Sequence, residues 1–426
     1  SVLYIWSNNG NVKNCFNHAC DKHLPSFNYR QGIKYAKSEG SNSKMAKEVK
    51  LSDRVHGADT KASSKMLNID ESEIIDFSSN VNIFTSQIDF QAIFSNITTT
   101  LSKYPDINYE ELRNTLSSIY NVKSSNIIPG NGATELIYLI MKLPQIEKIG
   151  IFHPTFCEYE RAAKISGKNP EDLSFDLLKQ ENEALIQNAI EDLDMVVICN
   201  PNNPTGEIKT LSKLIDIANK NSTLVFVDET FIDFTDNKEY SMLGQINNYN
   251  NVIILKAITK FYAMPGARLG YIFTSNENLI DMLWKYKEPW TINVFAEQLV
   301  KHLQTEIITS KTHYYYKDEI KRLISIYEDM NVKTKQSVTN YLLLRLPTGF
   351  SGTAIKAVLL KNYKLLIRTC TDFRGLDDSY IRIAIKDSKS NTLLANAIRQ
   401  ILCMEVIWCN IMEFVQPPVE SWFKGK

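Results

Sequence analysis

Between about residue 128 and residue 275, short apolar runs alternate with stretches of helical period. The runs are Ile149-Gly150-Ile151-Phe152, Met195-Val196-Val197-Ile198-Cys199, Leu224-Val225-Phe226-Val227, Val252-Ile253-Ile254-Leu255 and Leu269-Gly270-Tyr271-Ile272-Phe273. Candidate helices such as Leu211 to Asn219 lie between them. Runs with no polar alternation are the pattern of strands buried on both faces, so this region predicts a mostly parallel sheet covered by helices. Ligands of such sheets gather at the carboxyl ends of the strands. A strongly helical stretch from about 295 to 330 leaves the sheet. After it come apolar strands at Tyr341 to Leu346, Leu365 to Thr369 and Tyr380 to Ile385, with helical patterns at Thr353 to Leu360 and Asn391 to Leu402. That is a second, smaller α/β unit. Residues 1 to about 50, rich in Asn, Lys and Ser, show no sustained period and read as an irregular extension. Residues 403–426, with Pro417-Pro418 and a lysine-rich tip, read as a tail. No internal repeat is visible.

Composition narrows the partners. The 426 residues carry 48 Lys plus Arg against 48 Asp plus Glu, so no overall field points to nucleic acid or an acidic membrane. A small-molecule partner is expected. The seven cysteines, Cys15, Cys20, Cys157, Cys199, Cys370, Cys403 and Cys409, are odd in number and scattered, which suits a reducing compartment rather than a disulfide framework. The apolar patch Val2 to Trp6 is too short for a secretory signal, and Ile401 to Val415 is interrupted by Glu405, Asn410 and Glu413. A soluble, cytoplasmic protein is the expectation. Cys15, His18, Cys20 and His23 fall within nine residues, but their spacing matches no paired zinc knuckle and nothing downstream completes one. No metal is expected.

Four segments follow the apolar strands, where the fold argument places a site. Gly130-Asn131-Gly132-Ala133-Thr134-Glu135 leads into a helical pattern and offers an anion free N–H groups and the positive end of a dipole; a plain turn would account for its glycines as well. Asn200-Pro201-Asn202-Asn203-Pro204-Thr205-Gly206 is stiffened by two prolines and is rigid enough to aim an amide. Asp228, directly after four apolar residues, is costly to bury unless paired; a protonated pyridine nitrogen is one partner, and an N-cap is the alternative. Lys260 and Arg268, eight residues apart in one loop between two apolar runs, present an amine and a fixed cation together. An aldehyde cofactor carrying a phosphate needs that combination.

The order and spacing of these segments resemble the fold-type I pyridoxal-phosphate enzymes of the class I/II aminotransferase superfamily, over roughly residues 55 to 400. The resemblance implies an α/β fold: a large domain with a mostly parallel seven-stranded sheet and a smaller C-terminal α/β domain. It divides the chain into an irregular extension (1–50), an N-terminal arm contributing to the small domain and a dimer site (51–105), a large cofactor domain (106–295), a small domain (296–402) and a tail (403–426). It makes Lys260 the Schiff-base lysine, Arg268 the ligand of the cofactor phosphate, and Asp228 the partner of the pyridine nitrogen. Asn203 matches the donor to the ring hydroxyl, Gly132, Ala133 and Thr134 the phosphate cradle, and Thr259 a further cofactor contact. Phe156, in His153-Pro154-Thr155-Phe156, matches the ring-stacking aromatic. Arg382, in Tyr380-Ile381-Arg382-Ile383-Ala384, matches the arginine on the substrate carboxylate.

Narrower matches resemble the threonine-phosphate decarboxylases of cobalamin side-chain synthesis. They are His56-Gly57, Asp76-Phe77-Ser78-Ser79-Asn80-Val81-Asn82, Lys103-Tyr104-Pro105-Asp106, Asp228 to Phe234, Thr259 to Gly266, Lys287-Glu288-Pro289-Trp290, Ile367-Arg368-Thr369-Cys370 and Gly375-Leu376-Asp377. Histidinol-phosphate aminotransferases are the nearest relatives by pattern, but usually carry tyrosine where Phe231 stands and lack the His-Gly start. The resemblance implies that His56, Asn80 and Arg368 hold a substrate phosphate and that Tyr104 reaches the cofactor phosphate of a neighbouring subunit in a homodimer. The implied reaction is decarboxylation of O-phospho-L-threonine to 1-amino-2-propanol O-phosphate, with histidinol-phosphate amino transfer, or a preference for O-phospho-L-serine, as alternatives. One departure stands out: Ala257 occupies the place of a usual serine on the cofactor phosphate, which predicts a weaker grip by on the order of 1 kcal/mol, with Thr259 as a compensating hydroxyl.

Overall fold

Strand side chains alternate between faces, and the apolar runs use both. The computed structural model describes residues 57–414, apart from 85–88, 96, 180–182, 237 and 304. His56 and the Cys15, His18, Cys20 and His23 group lie outside the described residues.

The first strand, β1 (Ile75–Asp76), is followed by seven that form one sheet: β2 (Ile127–Gly130), β3 (Ile149–His153), β4 (Glu171–Ser174), β5 (Met195–Cys199), β6 (Leu224–Asp228), β7 (Val252–Ala257) and β8 (Gly270–Phe273). Their spatial order is β2-β8-β7-β6-β5-β3-β4. All pairings are parallel except those of β8, which runs antiparallel to both β2 and β7. The mostly parallel sheet expected from the apolar runs, with the seven strands that the resemblance implies, is therefore present. Met195, Val197, Cys199, Phe226, Ile253 and Leu255 point into one core, and Val196, Ile198, Val225, Val227, Val252 and Ile254 into the other. Helices Gly132–Met141, Glu158–Ile165 and Glu277–Tyr286 close the first face; Glu110–Tyr120, Glu183–Ile190 and Ser212–Lys220 close the second. Two-sided burial removes the backbone of the central strands from water and makes their carboxyl ends a rigid platform.

The second unit is built from β9 (Lys333–Thr334), β10 (Tyr341–Arg345), β11 (Leu365–Leu366), β12 (Arg368–Thr369) and β13 (Tyr380–Ala384). The order β12-β13-β10-β9 forms a four-stranded antiparallel sheet. The continuous strand expected over Leu365 to Thr369 is instead two. β11 pairs in parallel with β1, and only β12 joins the four-stranded sheet. The break at Ile367 lets the N-terminal arm be stitched to this unit. The helical stretch near 295–330 is likewise two helices, Val294–Val300 and Thr305–Glu328. The last helix, Ser388–Phe414, runs past 402 into the stretch read as a tail. Among the described residues no helix is long and apolar enough to cross a membrane, and no group of three or more potential ligands could hold a metal. Cys157, Cys199, Cys370 and Cys403 are free thiols.

Candidate active site

The carboxyl ends of β5, β6 and β7 are in register, Cys199 beside Asp228 and Asp228 beside Leu255. The loops that follow them wall a pocket of about 250 Å³. Of the residues expected there, Asn80, Ala133, Thr134, Phe156, Asn203, Asp228, Thr259, Lys260, Arg268, Arg368 and Arg382 all line it. Gly132 lies just behind the lining, as the first residue of helix Gly132–Met141. Tyr104 does not reach it: the residue is 83% exposed, and its ring packs on Trp290 with centroids 5.1 Å apart. Gly57, the neighbour of the undescribed His56, is part of the wall.

Lys260 sits three residues past the end of β7, in a turn tied to the N-terminal arm. Its carbonyl accepts from Asn82 N at 3.0 Å, and Asn82 Nδ2 donates to Phe261 O at 2.9 Å. Lys260 Nζ donates to Asn80 Oδ1 at 2.9 Å. Desolvation in the pocket, then the nearby Arg382 guanidinium, lower the lysine pKa to about 8. Asn80 is held in place by a turn around Asp76, whose Oδ1 accepts from Ser78 N at 2.8 Å and Ser78 Oγ at 2.6 Å. The buried Asn80 Nδ2 has no protein partner, a donor that a ligand in the pocket would satisfy.

Asp228 ends β6 and is buried. Its Oδ1 accepts from Thr230 N at 2.9 Å, and its Oδ2 accepts from the Tyr159 hydroxyl. Burial pushes its carboxyl pKa up, against the pull of these donors. The N-cap alternative fails, because the next helical turn, Ile232–Phe234, has Phe231 at its N-cap position and no side-chain cap bond, while Asp228 accepts from Thr230 N before that turn begins.

Arg268 has left-handed backbone (φ 54°) and its guanidinium lies against the start of helix Gly132–Met141. A Cβ on Gly132 would stand 2.3 Å from Arg268 Nη2, and one on Gly270 would stand 2.6 Å from Ala133 N. Glycine is therefore required at both places for the cation and the open N–H groups to meet. A phosphate is what such a pairing binds.

Arg368 and Arg382 are Cα partners on β12 and β13, and both are buried. Arg382 donates to Asn203 Oδ1 at 2.6 Å and Ser78 O at 2.7 Å, with its guanidinium carbon 5.5 Å from the Tyr341 ring centre. Burial first, then the facing Arg368, bring its pKa down to about 10. Arg368 donates to Asp372 Oδ2 at 2.5 Å and Thr369 O at 2.9 Å, and lies over the Phe373 ring. Two adjacent buried guanidiniums are costly side by side, so an anionic ligand would relieve both.

Sequence reasoning missed Tyr159, Asp372 and Phe373. Tyr159 carried a signal only in its spacing, three residues after Phe156; the helix Glu158–Ile165 that holds it was not read from the sequence. Asp372 and Phe373 lie in an irregular segment whose path no periodicity announces.

The model of the family described as aminotransferase class I and II matches residues 72–401. A protein of Caldanaerobacter subterraneus subsp. tengcongensis, whose name assigns it provisionally to the threonine-phosphate decarboxylases, is 37% identical over 70% of this chain and 83% of its own. The threonine-phosphate decarboxylase of Salmonella typhimurium is 29% identical over 83% of this chain and 98% of its own. Among solved structures, the histidinol-phosphate aminotransferase of Clostridium acetobutylicum superposes with a TM-score of 0.70 at 34% identity, covering 76% of this chain and 98% of that one.

Proposed function

The chain belongs to the class I and II aminotransferase family, and from that premise we propose that it is a pyridoxal-phosphate-dependent carboxy-lyase acting on O-phospho-L-threonine. The observation that carries this reading is the register of Arg368 opposite Arg382 at one wall of the pocket. An O-phosphoamino acid has two anionic ends flanking one amine and fills both guanidiniums at once. Histidinol phosphate has a single anionic end; placed on Arg368, which Asp372 already pairs, it leaves Arg382 with only the neutral acceptors Asn203 Oδ1 and Ser78 O.

The donor set fits pyridoxal 5′-phosphate: Lys260 for its aldehyde, Asp228 for its ring nitrogen, Phe156 for its face, and Arg268 with Gly132, Ala133, Thr134 and Thr259 for its phosphate. When bound, that cofactor supplies an electron sink for the pair left at the substrate Cα. The protein's own task is orientation. Arg382, steadied by Asn203 and Ser78 O, holds the carboxylate. Arg368, with Asn80 and His56, holds the phosphate. Anchoring both ends fixes the rotation about Cα and so selects the bond to the carboxylate for cleavage. Lys260, with its pKa lowered to about 8, can carry a proton to the Cα position left after CO2 departs.

Amino transfer on histidinol phosphate is the second reading, favoured by the likeness to the Clostridium acetobutylicum aminotransferase. Phe231 speaks for the first. It is buried, 5.1 Å edge-on from Tyr341, and offers no hydroxyl where those aminotransferases usually have one. Phosphothreonine and phosphoserine differ by one methyl, a difference of about 1 to 3 kcal/mol in a pocket. The test is product analysis of the cofactor-loaded protein with each phosphoamino acid, and with histidinol phosphate plus 2-oxoglutarate. The amine phosphate is expected from phosphothreonine; rapid glutamate formation from histidinol phosphate would favour the second reading instead.

A further inference from the structure

Residues 370–376 leave β12 of the four-stranded sheet and reach the far rim of the seven-stranded one, where β4 is the edge strand. Two charged side chains of this segment are tied to different places. Asp372 accepts from Arg368 Nη2 at 2.5 Å. Arg374 reaches the rim: its Nη1 donates to both carboxylate oxygens of Asp172 on β4 at 2.7 Å, and its Nη2 to Glu160 Oε1 at 2.5 Å on helix Glu158–Ile165. Between the two, Phe373 is buried beneath the Arg368 guanidinium and forms part of the pocket wall. The thiol of Cys157 also borders Asp372; burial, then that carboxylate, push it up to about 12.

The Arg368 contacts named above, Thr369 O, Asp372 and the Phe373 ring, all belong to the stretch that carries it. A shift in the path of that stretch would move Asp372 and Phe373, two groups in direct contact with the guanidinium, and Arg374 ties the path to the large sheet. Side-chain exposures of 43% at Arg374 and 53% at Asp172 make the tie worth little to global stability. A fork shared between two carboxylates is nonetheless geometrically demanding.

We propose that Arg374, through Asp172 and Glu160, is a positioning residue that sets Arg368 for the substrate's phosphate group. This rests on the reading of Arg368 as the phosphate ligand. Arg374 is not among the residues that line the pocket, so it acts through segment 370–376. Uniform loss of phosphate binding raises KM and leaves kcat nearly unchanged.

The experiment uses the cofactor-loaded protein, in which the cofactor's own phosphate site is filled. Binding of inorganic phosphate is measured by calorimetry, KM and kcat on O-phospho-L-threonine by CO2 release, and cofactor affinity by fluorescence titration. Arg374→Ala is expected to weaken phosphate binding and raise KM about five-fold while kcat and cofactor affinity hold. Asp172→Ala should do most of the same, and the double variant should add little to Arg374→Ala. Arg374→Lys, which keeps charge but loses the fork, should fall between. Arg368→Ala is the control and should abolish the phosphate signal. A lowered Tm with KM and phosphate affinity unchanged in Arg374→Ala would reduce the tie to a structural contact and overturn the proposal. Additive effects of the two alanine variants would also overturn it. If the wild type releases no CO2 but phosphate binding still weakens in Arg374→Ala, the positioning role stands and the decarboxylation reading falls.

Discussion

Lys260 is a lysine that its surroundings push toward neutrality. Desolvation and the Arg382 and Arg268 charges outweigh Asp76 and Asp228, so its pKa falls to about 8. The neutral amine is the form that attacks an aldehyde. Capture of pyridoxal phosphate by the cofactor-free protein, followed by absorbance, should therefore speed up as pH rises toward 8 and level off above it. A rate still climbing steeply toward pH 10 would mean an ordinary lysine. Ala257 tests the other end of the cofactor. It is buried, lines the pocket and offers no hydroxyl. Ala257→Ser should tighten cofactor binding by on the order of 1 kcal/mol, about five-fold by titration; unchanged affinity would mean that Thr259 already fills that role. At this scale the sequence was most legible where a residue followed a buried strand, as Asp228 and Lys260 do. It was silent where a role depends on two elements meeting. Tyr159 acts on Asp228 only because helix Glu158–Ile165 packs over the end of β6, and Asp372 acts on Arg368 through an irregular turn.

The elements form their site by close approach. β8 begins at Gly270, hard against the first turn of helix Gly132–Met141, and Arg268 two residues earlier lies over Gly132. A methyl at Gly270 would meet backbone at 2.6 Å, whereas one at Gly132 would meet the movable end of Arg268. Gly270→Ala is thus expected to cost stability, about 2 kcal/mol or more in denaturant unfolding, because backbone must shift. Gly132→Ala should cost about 1 kcal/mol through its φ of 78°, with the larger loss in cofactor affinity. Equal stability losses in the two variants would contradict this geometry. Of the large sheet's strands, β3, β5, β6, β7 and β8 were readable from their apolar runs. β2 was not, because Pro129 and Gly130 leave it an apolar run of only Ile127 and Ile128, although all of it is buried. Nor was β4: of Glu171-Asp172-Leu173-Ser174 only Leu173 is buried, so no apolar run marks it. The split of Leu365 to Thr369 was hidden for a different reason. An apolar run reports burial, and both halves are buried, but it does not report which sheet each half joins.

Over the whole molecule, two cores on opposite faces of one sheet hold the platform, and the second of them runs on into the four-stranded sheet behind Arg382. Tyr104 lies apart from the pocket of its own chain and is 83% exposed. In the homodimer that the family resemblance implies, it would serve the neighbouring site. Tyr104→Phe should then lower cofactor affinity about five-fold while sedimentation still reports a dimer; unchanged affinity would remove that role. The central claim is that two guanidiniums anchor a phosphoamino acid so that its carboxylate leaves. Carboxyl-labelled O-phospho-L-threonine given to the cofactor-loaded protein tests it directly. The account predicts labelled CO2 in step with 1-amino-2-propanol phosphate and no need for a keto acid. Label retained in the substrate carbon skeleton, with glutamate accumulating only when 2-oxoglutarate is present, would contradict it.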